Sequence, residues 1–471
     1  MISKIMETDK NKLRIICMVQ LLAIIFLGSC KFEDKWLDEK ARLSDVRPTT
    51  LEDFQAILDD NSSINNKFPG IGLTGTDNYF MTDQNFNAAD QYLKNSYLWS
   101  KDIFAGSMAA DWNTGYALIE STNIVLDGLK KIDRNETNAV DYDRVKGSAL
   151  FLRAFMYYAL SQIYCKPYSA EHLNSLGLVL RETSDVNKKP IRSTLGKTYE
   201  RIIEDLKIAV DKLPITTSYQ TRPSRPTANA LLAKVYLAIE NYEQAYNFSS
   251  ASLKQFNVLL DFNSNLVSPT SSFRFPNYPN NPEIMFYAYQ NINRTVSAQS
   301  NALGYVDTAL YKMYEPTDFR RSLFFAPKNG YYQFRGNYAA VNNNFAGIAT
   351  NEILLVHAEA CARLSKIAEA NNDLNHLLMN RYLRGKYVAK NINDPDILLE
   401  TVLQERRKEL PFTGQLRWED LRRLNKDARF AKTLVRYIDG VKYELTPNDN
   451  RYTFPIPDNE IRLSGIEQNE R

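Results

Sequence analysis

Apolar residues recur at helical spacing, in pairs of short runs, along most of this chain. The clearest pair spans residues 227–256. Thr227 suits an N-cap, and Leu231, Leu232, Val235, Tyr236 and Ile239 follow along one helical face. The run breaks at Glu240-Asn241. A second helix is expected from Tyr242, with Ala245, Tyr246, Ser249 and Leu253 on one side. Small residues at 233, 238 and 245 allow the two helices to approach closely, so the spacing predicts a helical hairpin.

The same pattern returns on both sides. Trp112, Tyr116, Ile119, Asn123 and Leu126 stripe a helix expected over 107–132. Its partner is expected over 141–164, with Val145, Ala149, Leu152, Phe155, Ala159 and Ile163. Tyr199, Ile202, Leu206, Ala209 and Leu213 mark another helix. Further helices are expected at 351–364, 370–379, 396–410 and 418–425. Thr50-x-x-Asp53 reads as a capping box for a helix through Phe54, Ile57 and Leu58. The order Ala233, Tyr236, Tyr242, Ala245 resembles a tetratricopeptide unit, which buries its apolar face only when neighbours stack on it. The expected fold is therefore mostly α, with tetratricopeptide-like hairpins forming a right-handed superhelical scaffold. An irregular loop-rich segment and minor short β-hairpins complete it.

Two stretches depart from the helical period. Between 257 and 350, Asn, Pro, Ser and aromatic residues dominate. One run there is strand-like (283–289) and one is helical (310–314). Residues 273–345 hold 17 Phe or Tyr, nearly twice the chain average, and a long irregular segment on a helical scaffold points to function. About half of that enrichment is expected to be core packing. Near the C-terminus, Asp439-Gly440 between 437 and 443 carries the signature of a tight β-hairpin. A third stretch is deceptive. Gly70-Ile71-Gly72-Leu73-Thr74-Gly75 matches G-x-G-x-x-G, but loop-like sequence flanks it on both sides where a dinucleotide site needs a strand and a helix. The cofactor reading fails, and no cofactor is expected.

Composition narrows the function. The 471 residues carry 58 basic and 55 acidic side chains, a formal charge of +3. Without residues 1–29 (Lys4, Lys10, Lys12 and Arg14 against Glu7 and Asp9) it is +1. No basic run exists to steer nucleic acid. The four cysteines (17, 30, 165, 361) and three histidines (172, 357, 376) show neither zinc-ligand nor redox spacing, and His357-Ala358-Glu359 lacks a second His four residues away. No metal site is expected, and Cys165 and Cys361 are expected to be buried free thiols. Residues 1–29 read as a targeting segment: basic residues precede an apolar run from 15 to 27 that is too short to span a bilayer comfortably. It ends in Leu27-Gly28-Ser29-Cys30, which resembles a bacterial lipobox and implies acylation of Cys30 after cleavage. Lys31-Phe32-Glu33-Asp34-Lys35 would tether the fold clear of the lipid.

Several segments together resemble the SusD/RagB family of outer-membrane nutrient-binding lipoproteins. The family's paired helix "AEA.AR … A…LN" is similar to His357-Ala358-Glu359-Ala360-Cys361-Ala362-Arg363 followed by Ala370, Leu374 and Asn375. Its "ERRxEL.FEGxRWxDLRR" is similar to the segment from Glu405-Arg406-Arg407-Lys408-Glu409 to Trp418-Glu419-Asp420-Leu421-Arg422-Arg423. Here Thr413 replaces a Glu, and Leu416 inserts between Gln415 and Arg417. Pro455-Ile456-Pro457, Glu460 and Gln468-Asn469 resemble its closing motif, and Leu152-Arg153-Ala154-Phe155-Met156-Tyr157 its early "xRAxxY" helix. The resemblance implies one domain over 30–471, with a helical scaffold at about 45–256 and 351–471 and a variable segment at about 257–350. It also implies a SusC-like TonB-dependent transporter as partner, a cell-exterior location on the outer membrane, a glycan or peptide ligand, and no enzymatic activity.

Glu405, Glu409, Glu419 and Asp420 invite a catalytic-carboxylate reading. Arg406, Arg407, Arg417, Arg422 and Arg423 surround them, and a carboxylate among guanidiniums stays ionised, a poor general acid. Arg–carboxylate bonds tying helices together are the expected use. Binding then rests on aromatic faces for the C–H side of a sugar and polar groups for its hydroxyl rim. Two loop regions offer both: Asp77, Asn78 and Tyr79 with Trp99, and Tyr278, Tyr331, Tyr332, Phe334, Arg335 and Tyr338. The rival functions are peptide binding, a tetratricopeptide-type interaction scaffold without a small-molecule ligand, and a lipid-anchored glycan hydrolase. The aromatic segment speaks against the scaffold, and the lack of an unpaired carboxylate pair against the hydrolase.

Overall fold

The computed structural model describes residues 48–291, 295–297, 302–336 and 338–471. The targeting segment, Cys30 and residues 31–35 lie outside the described residues. Helices dominate. α1 (Leu51–Leu58), α2 (Asn61–Ile64), α3 (Asp83–Asn87) and α4 (Gln91–Tyr97) precede the long pair α5 (Ala110–Leu129) and α6 (Ala139–Tyr164). Next come α7 (Leu195–Lys212), α8 (Arg225–Ala238) and α9 (Tyr242–Gln255). Short α10 (Thr308–Lys312) and α11 (Arg320–Phe324) punctuate the irregular segment. α12 (Thr350–Arg363), α13 (Ile367–Met379), α14 (Pro395–Glu409), α15 (Leu416–Leu424) and α16 (Asp458–Ser464) follow.

The helix boundaries follow local chemistry. Asn241 caps α9, its side chain accepting from the Gln244 N–H at 3.1 Å. Thr227 is not the cap of α8. That helix starts two residues earlier, after Ser224, because Pro226 lacks only an N–H that a first turn leaves unpaired anyway. Thr227 Oγ1 instead donates to the Met285 carbonyl at 3.2 Å. α6 is buried on all sides from Gly147 to Tyr164, the mark of a central core helix. Its Arg153 donates to both Asp205 oxygens of α7 at 2.8 Å and to Asn123 Oδ1 of α5 at 2.9 Å. One guanidinium therefore joins three helices.

The strands are short: β1 (Tyr79–Phe80), β2 (Leu176–Val179), β3 (Arg192–Thr194), β4 (Ile284–Phe286), β5 (Tyr305–Val306), β6 (Phe325–Lys328), β7 (Tyr331–Phe334), β8 (Ile348–Ala349), β9 (Leu434–Ile438) and β10 (Val441–Leu445). They pair antiparallel as β1–β5, β2–β3, β4–β8, β6–β7 and β9–β10. The β9–β10 turn is the expected Asp439-Gly440, with both residues at positive φ (48° and 77°).

Three apolar cores result. The first is centred on α5–α9 and the third on α12–α14, with Cys361 buried in it and Cys165 in the first. The second lies under the irregular segment. Of the 17 Phe and Tyr in 273–345, ten are buried, slightly more than the half expected, because that segment must build a core of its own.

The arginine-rich α14–α15 segment is where these parts are tied. Glu409 accepts from Arg381 Nε at 2.8 Å, Arg320 Nη1 at 3.0 Å and Asn351 Nδ2 at 2.9 Å. Glu405 accepts from Arg320 Nη2 at 2.8 Å and Lys408 Nζ at 2.9 Å. Arg423 donates to both Glu359 oxygens at 2.6 and 2.7 Å, and Asp420 is shared by Arg406 and Arg423. Glu419 accepts from the Tyr158 hydroxyl at 2.9 Å. Glu405, Glu409, Glu419 and Asp420 are thus spent on holding elements together.

The G-x-G-x-x-G stretch forms a single 3-10 helix, Ile71–Gly75. Its leading N–H groups, Gly70 and Ile71, donate to Asp111 Oδ2 at 2.8 and 2.7 Å, so a carboxylate of the chain fills the place where an anion would sit. Trp418 explains two of the glycines. A Cβ at Gly72 or Gly75 would come within 3.0 or 2.6 Å of its ring.

Candidate functional site

The two loop regions singled out from the sequence meet at one place on the surface. β1 pairs with β5, placing Phe80 opposite Tyr305. The β6–β7 hairpin brings Tyr331 onto both: its ring lies 5.2 Å from Phe80, edge-on, and 4.9 Å from Tyr305. Tyr331 is 40% exposed, and Phe80 is half-buried. Next to it on β7, Tyr332 stacks on Tyr311 of α10 at 3.5 Å with ring planes 16° apart. Arg321 lies 4.8 Å over the Tyr311 ring and donates to its hydroxyl at 3.0 Å. Burial, then the adjoining Tyr332, raises the Tyr311 hydroxyl above the ordinary tyrosine range, so it stays a donor at neutral pH.

Phe80 also lines an adjoining cavity of about 460 Å³, whose wall includes Asp77, Trp99, Asp307, Lys432 and Tyr437. Tyr437 is 65% exposed at its rim. Asp77 is held from three sides. Arg417 donates to its two oxygens at 2.7 and 3.0 Å, Lys432 Nζ is at 2.8 Å and Arg407 Nη2 at 3.2 Å. Burial opposes ionisation, but these cations prevail and hold the carboxyl well below the usual range.

The remaining expected site residues are placed differently. Asn78 is fully buried, donating to the Pro411 carbonyl at 2.6 Å and accepting from Arg407 at 3.0 Å. Tyr79 is buried, its hydroxyl donating to the Thr74 carbonyl at 2.8 Å. Trp99, 1% exposed, donates to the Gly75 carbonyl at 3.0 Å beneath the Arg436 guanidinium. Phe334 packs on Phe412 at 4.7 Å and Tyr338 edge-on to Phe275 at 5.2 Å, both inside the second core. These five are core residues because long-range partners cover them. Tyr278, half-buried, stacks on Tyr287 at 4.9 Å. Arg335, also half-buried, follows β7, its N–H donating to the Phe324 carbonyl at 2.7 Å.

Sequence reasoning missed Phe80, Tyr305 and Tyr311. It also missed the hairpin that presents Tyr331, although Asn329-Gly330 carries the same turn signal as Asp439-Gly440, with φ of 51° and 81°.

Residues 35–237 match the family described as "Starch-binding associating with outer membrane", and residues 311–470 match the "SusD family". The chain belongs to the SusD/RagB family. SusD-like proteins are non-enzymatic binding proteins, and this chain is not an enzyme. SusD-like protein P2 of Formosa agariphila is 26% identical over 416 residues, covering 76% of this chain and 78% of that protein. A SusD superfamily protein from Bacteroides thetaiotaomicron superposes with a TM-score of 0.69 at 21% identity, over 90% of this chain and 100% of the other. A SusD-like carbohydrate binding protein from Bacteroides vulgatus superposes with 0.67 at 19% identity, over 89% and 97%. Both likenesses are of fold.

Proposed function

We propose that this SusD-family protein is a cell-surface lipoprotein that captures oligosaccharide and delivers it to a SusC-like TonB-dependent outer-membrane transporter. The observation that carries the reading is exposed Tyr331, packed on half-buried Phe80 and backed by buried Tyr305, with the stacked pair Tyr311–Tyr332, beside the 460 Å³ cavity. Flat aromatic faces cover the C–H side of pyranose rings, while Asp307, Lys432 and Tyr437 meet hydroxyls. With Asp77 already tied by arginines, its role at the cavity wall is to fix Lys432 in place. In this reading residues 30–471 act as one domain, with helix pairs stacked as a tetratricopeptide-like right-handed superhelix and residues 257–350 forming the ligand face. Cys30 carries the lipid, and several acyl chains on one residue give an anchor that a single chain would not.

Calorimetric titration of the soluble protein beginning at Lys31, against panels of oligosaccharides and oligopeptides, tests this. Saccharide binding that is lost in Tyr331→Ala/Tyr332→Ala with folding intact supports it. Peptide binding alone replaces the cargo. No binding across a broad panel favours the interaction scaffold and sinks the glycan reading.

A further inference from the structure

Away from the ligand face, two facing helices each aim an i, i+4 pair of metal-ligating side chains at a common point. His357 and Cys361 lie one turn apart on α12, and Glu369 and Asp373 one turn apart on α13. Ligand atoms of His357, Cys361 and Glu369 all fall within 4.8 Å of one another, and Asp373 Oδ2 is 2.5 Å from His357 Nδ1. His357 and Cys361 are buried, whereas the Glu369 side chain is 44% exposed and opens the cluster to solvent.

An outer hydrogen bond holds the imidazole. Ser250 Oγ lies 2.7 Å from the Tyr246 carbonyl and 2.9 Å from His357 Nε2. When the hydroxyl proton goes to the carbonyl, Ser250 accepts from an Nε2–H, and Nδ1 is left to face Asp373 and Cys361 with its lone pair. A histidine locked at one nitrogen by an outer hydrogen bond is the arrangement metal sites use to present the other nitrogen.

We propose that His357 Nδ1, Cys361 Sγ, Asp373 and Glu369 form a binding site for a divalent cation of the zinc class. Zinc bonds of about 2.0 Å to nitrogen and 2.3 Å to sulfur set a tetrahedral N···S edge of about 3.5 Å. The Cys361 Sγ to His357 Nδ1 distance is 3.6 Å. Asp373 must step back by about 0.8 Å to give its own edge of the tetrahedron. Charge agrees. Glu369 faces Lys366 Nζ at 3.5 Å and accepts from the Tyr246 hydroxyl at 3.0 Å, and the cation enters as the thiol proton leaves to solvent, giving a thiolate ligand and a balanced cluster. The ion would pin α12 to α13 at the edge of the third core, which Cys361 enters. Sequence spacing hides this set, because it contains neither a second histidine nor a paired cysteine and the acidic ligands come from the neighbouring helix.

The test is zinc binding to the tag-free, chelator-treated protein, followed by calorimetry and thermal unfolding, with Co²⁺ as a spectroscopic stand-in. One equivalent of Zn²⁺ should bind and raise the unfolding midpoint. The Co²⁺ form should show near-ultraviolet thiolate charge-transfer absorption that Cys361→Ala removes. Ser250→Ala, which removes the outer hydrogen bond to the imidazole without touching a ligand, should weaken Zn²⁺ roughly 10–100-fold. Absence of stoichiometric Zn²⁺ binding, or binding unchanged in Cys361→Ala and His357→Gln, overturns the proposal and leaves a proton-bridged His–Asp pair. If those variants fail to fold, the wild-type Co²⁺ spectrum decides alone: no thiolate band, no site.

Discussion

Arg423 grips Glu359 through two parallel hydrogen bonds with both side chains shielded from water, whereas Arg429 meets Asp396 in the open. The contrast sets the first prediction. Arg423→Ala leaves the buried Glu359 carboxylate with Arg363 Nε at 3.1 Å in place of the two-pronged grip and should cost up to about 3–5 kcal/mol, read by chemical denaturation. Arg429→Ala should leave the midpoint unchanged. Asp77 offers a pH test. Its folded-state pKa is depressed, so its stabilising contribution is complete above the unfolded value of about 3.9 and is lost as pH falls below it. Asp77→Asn should therefore be less stable than wild type at pH 7, and the gap should narrow below about pH 4. A constant gap across the acid range would show that Asp77 acts by packing rather than by charge.

The 3-10 helix Ile71–Gly75 is seated on Trp418 so closely that Gly75→Ala pushes a methyl into the ring, at 2.6 Å before relaxation. Overpacking of this kind should cost about 1–3 kcal/mol in denaturant titrations. In the β6–β7 hairpin, Gly330 turns at φ 81° and its Cβ position faces open space. Gly330→Val is strained by backbone alone, and it should weaken saccharide binding several-fold more than it lowers thermal stability. Elements such as α5–α9 were legible because an amphipathic period needs only local sequence. Their ends were less so: Pro226 extended α8 past the expected cap. Of the proposed ligand face, Tyr331 and Tyr332 are nameable from the sequence, although they stand on the strand β7 rather than in a loop. Asn329-Gly330 is a weaker hairpin signal than Asp439-Gly440, because Pro327 in the run before it speaks against a strand, although edge strands tolerate it. Trp99 and Asn78 could not be read as core, because Arg436, Pro411 and Arg407, which cover them, lie more than 300 residues away in the chain.

For the protein as a whole, a formal charge of +1 without the leader leaves little long-range field. Binding that rests on stacking and short hydrogen bonds should then be nearly indifferent to salt. Saccharide affinity should change by less than about twofold between 0.05 and 0.5 M NaCl, whereas a charge-steered ligand would weaken steeply. Cys30→Ala should move the protein from the membrane fraction to the soluble one in a cell fractionation.

The β6–β7 ribbon also bears on how such a protein acquires a new taste. Phe325 and Phe334 face one another across the ladder and are sunk in the second core, while Tyr331 at the far end looks outward. In the proposed function, anchoring and recognition thus fall on different rungs of one four-residue ladder. Mutation can explore the outer rungs without disturbing the inner ones. The ribbon is an exchangeable cassette, and descendants can change diet by rewriting its tip while inheriting the rest of the molecule intact.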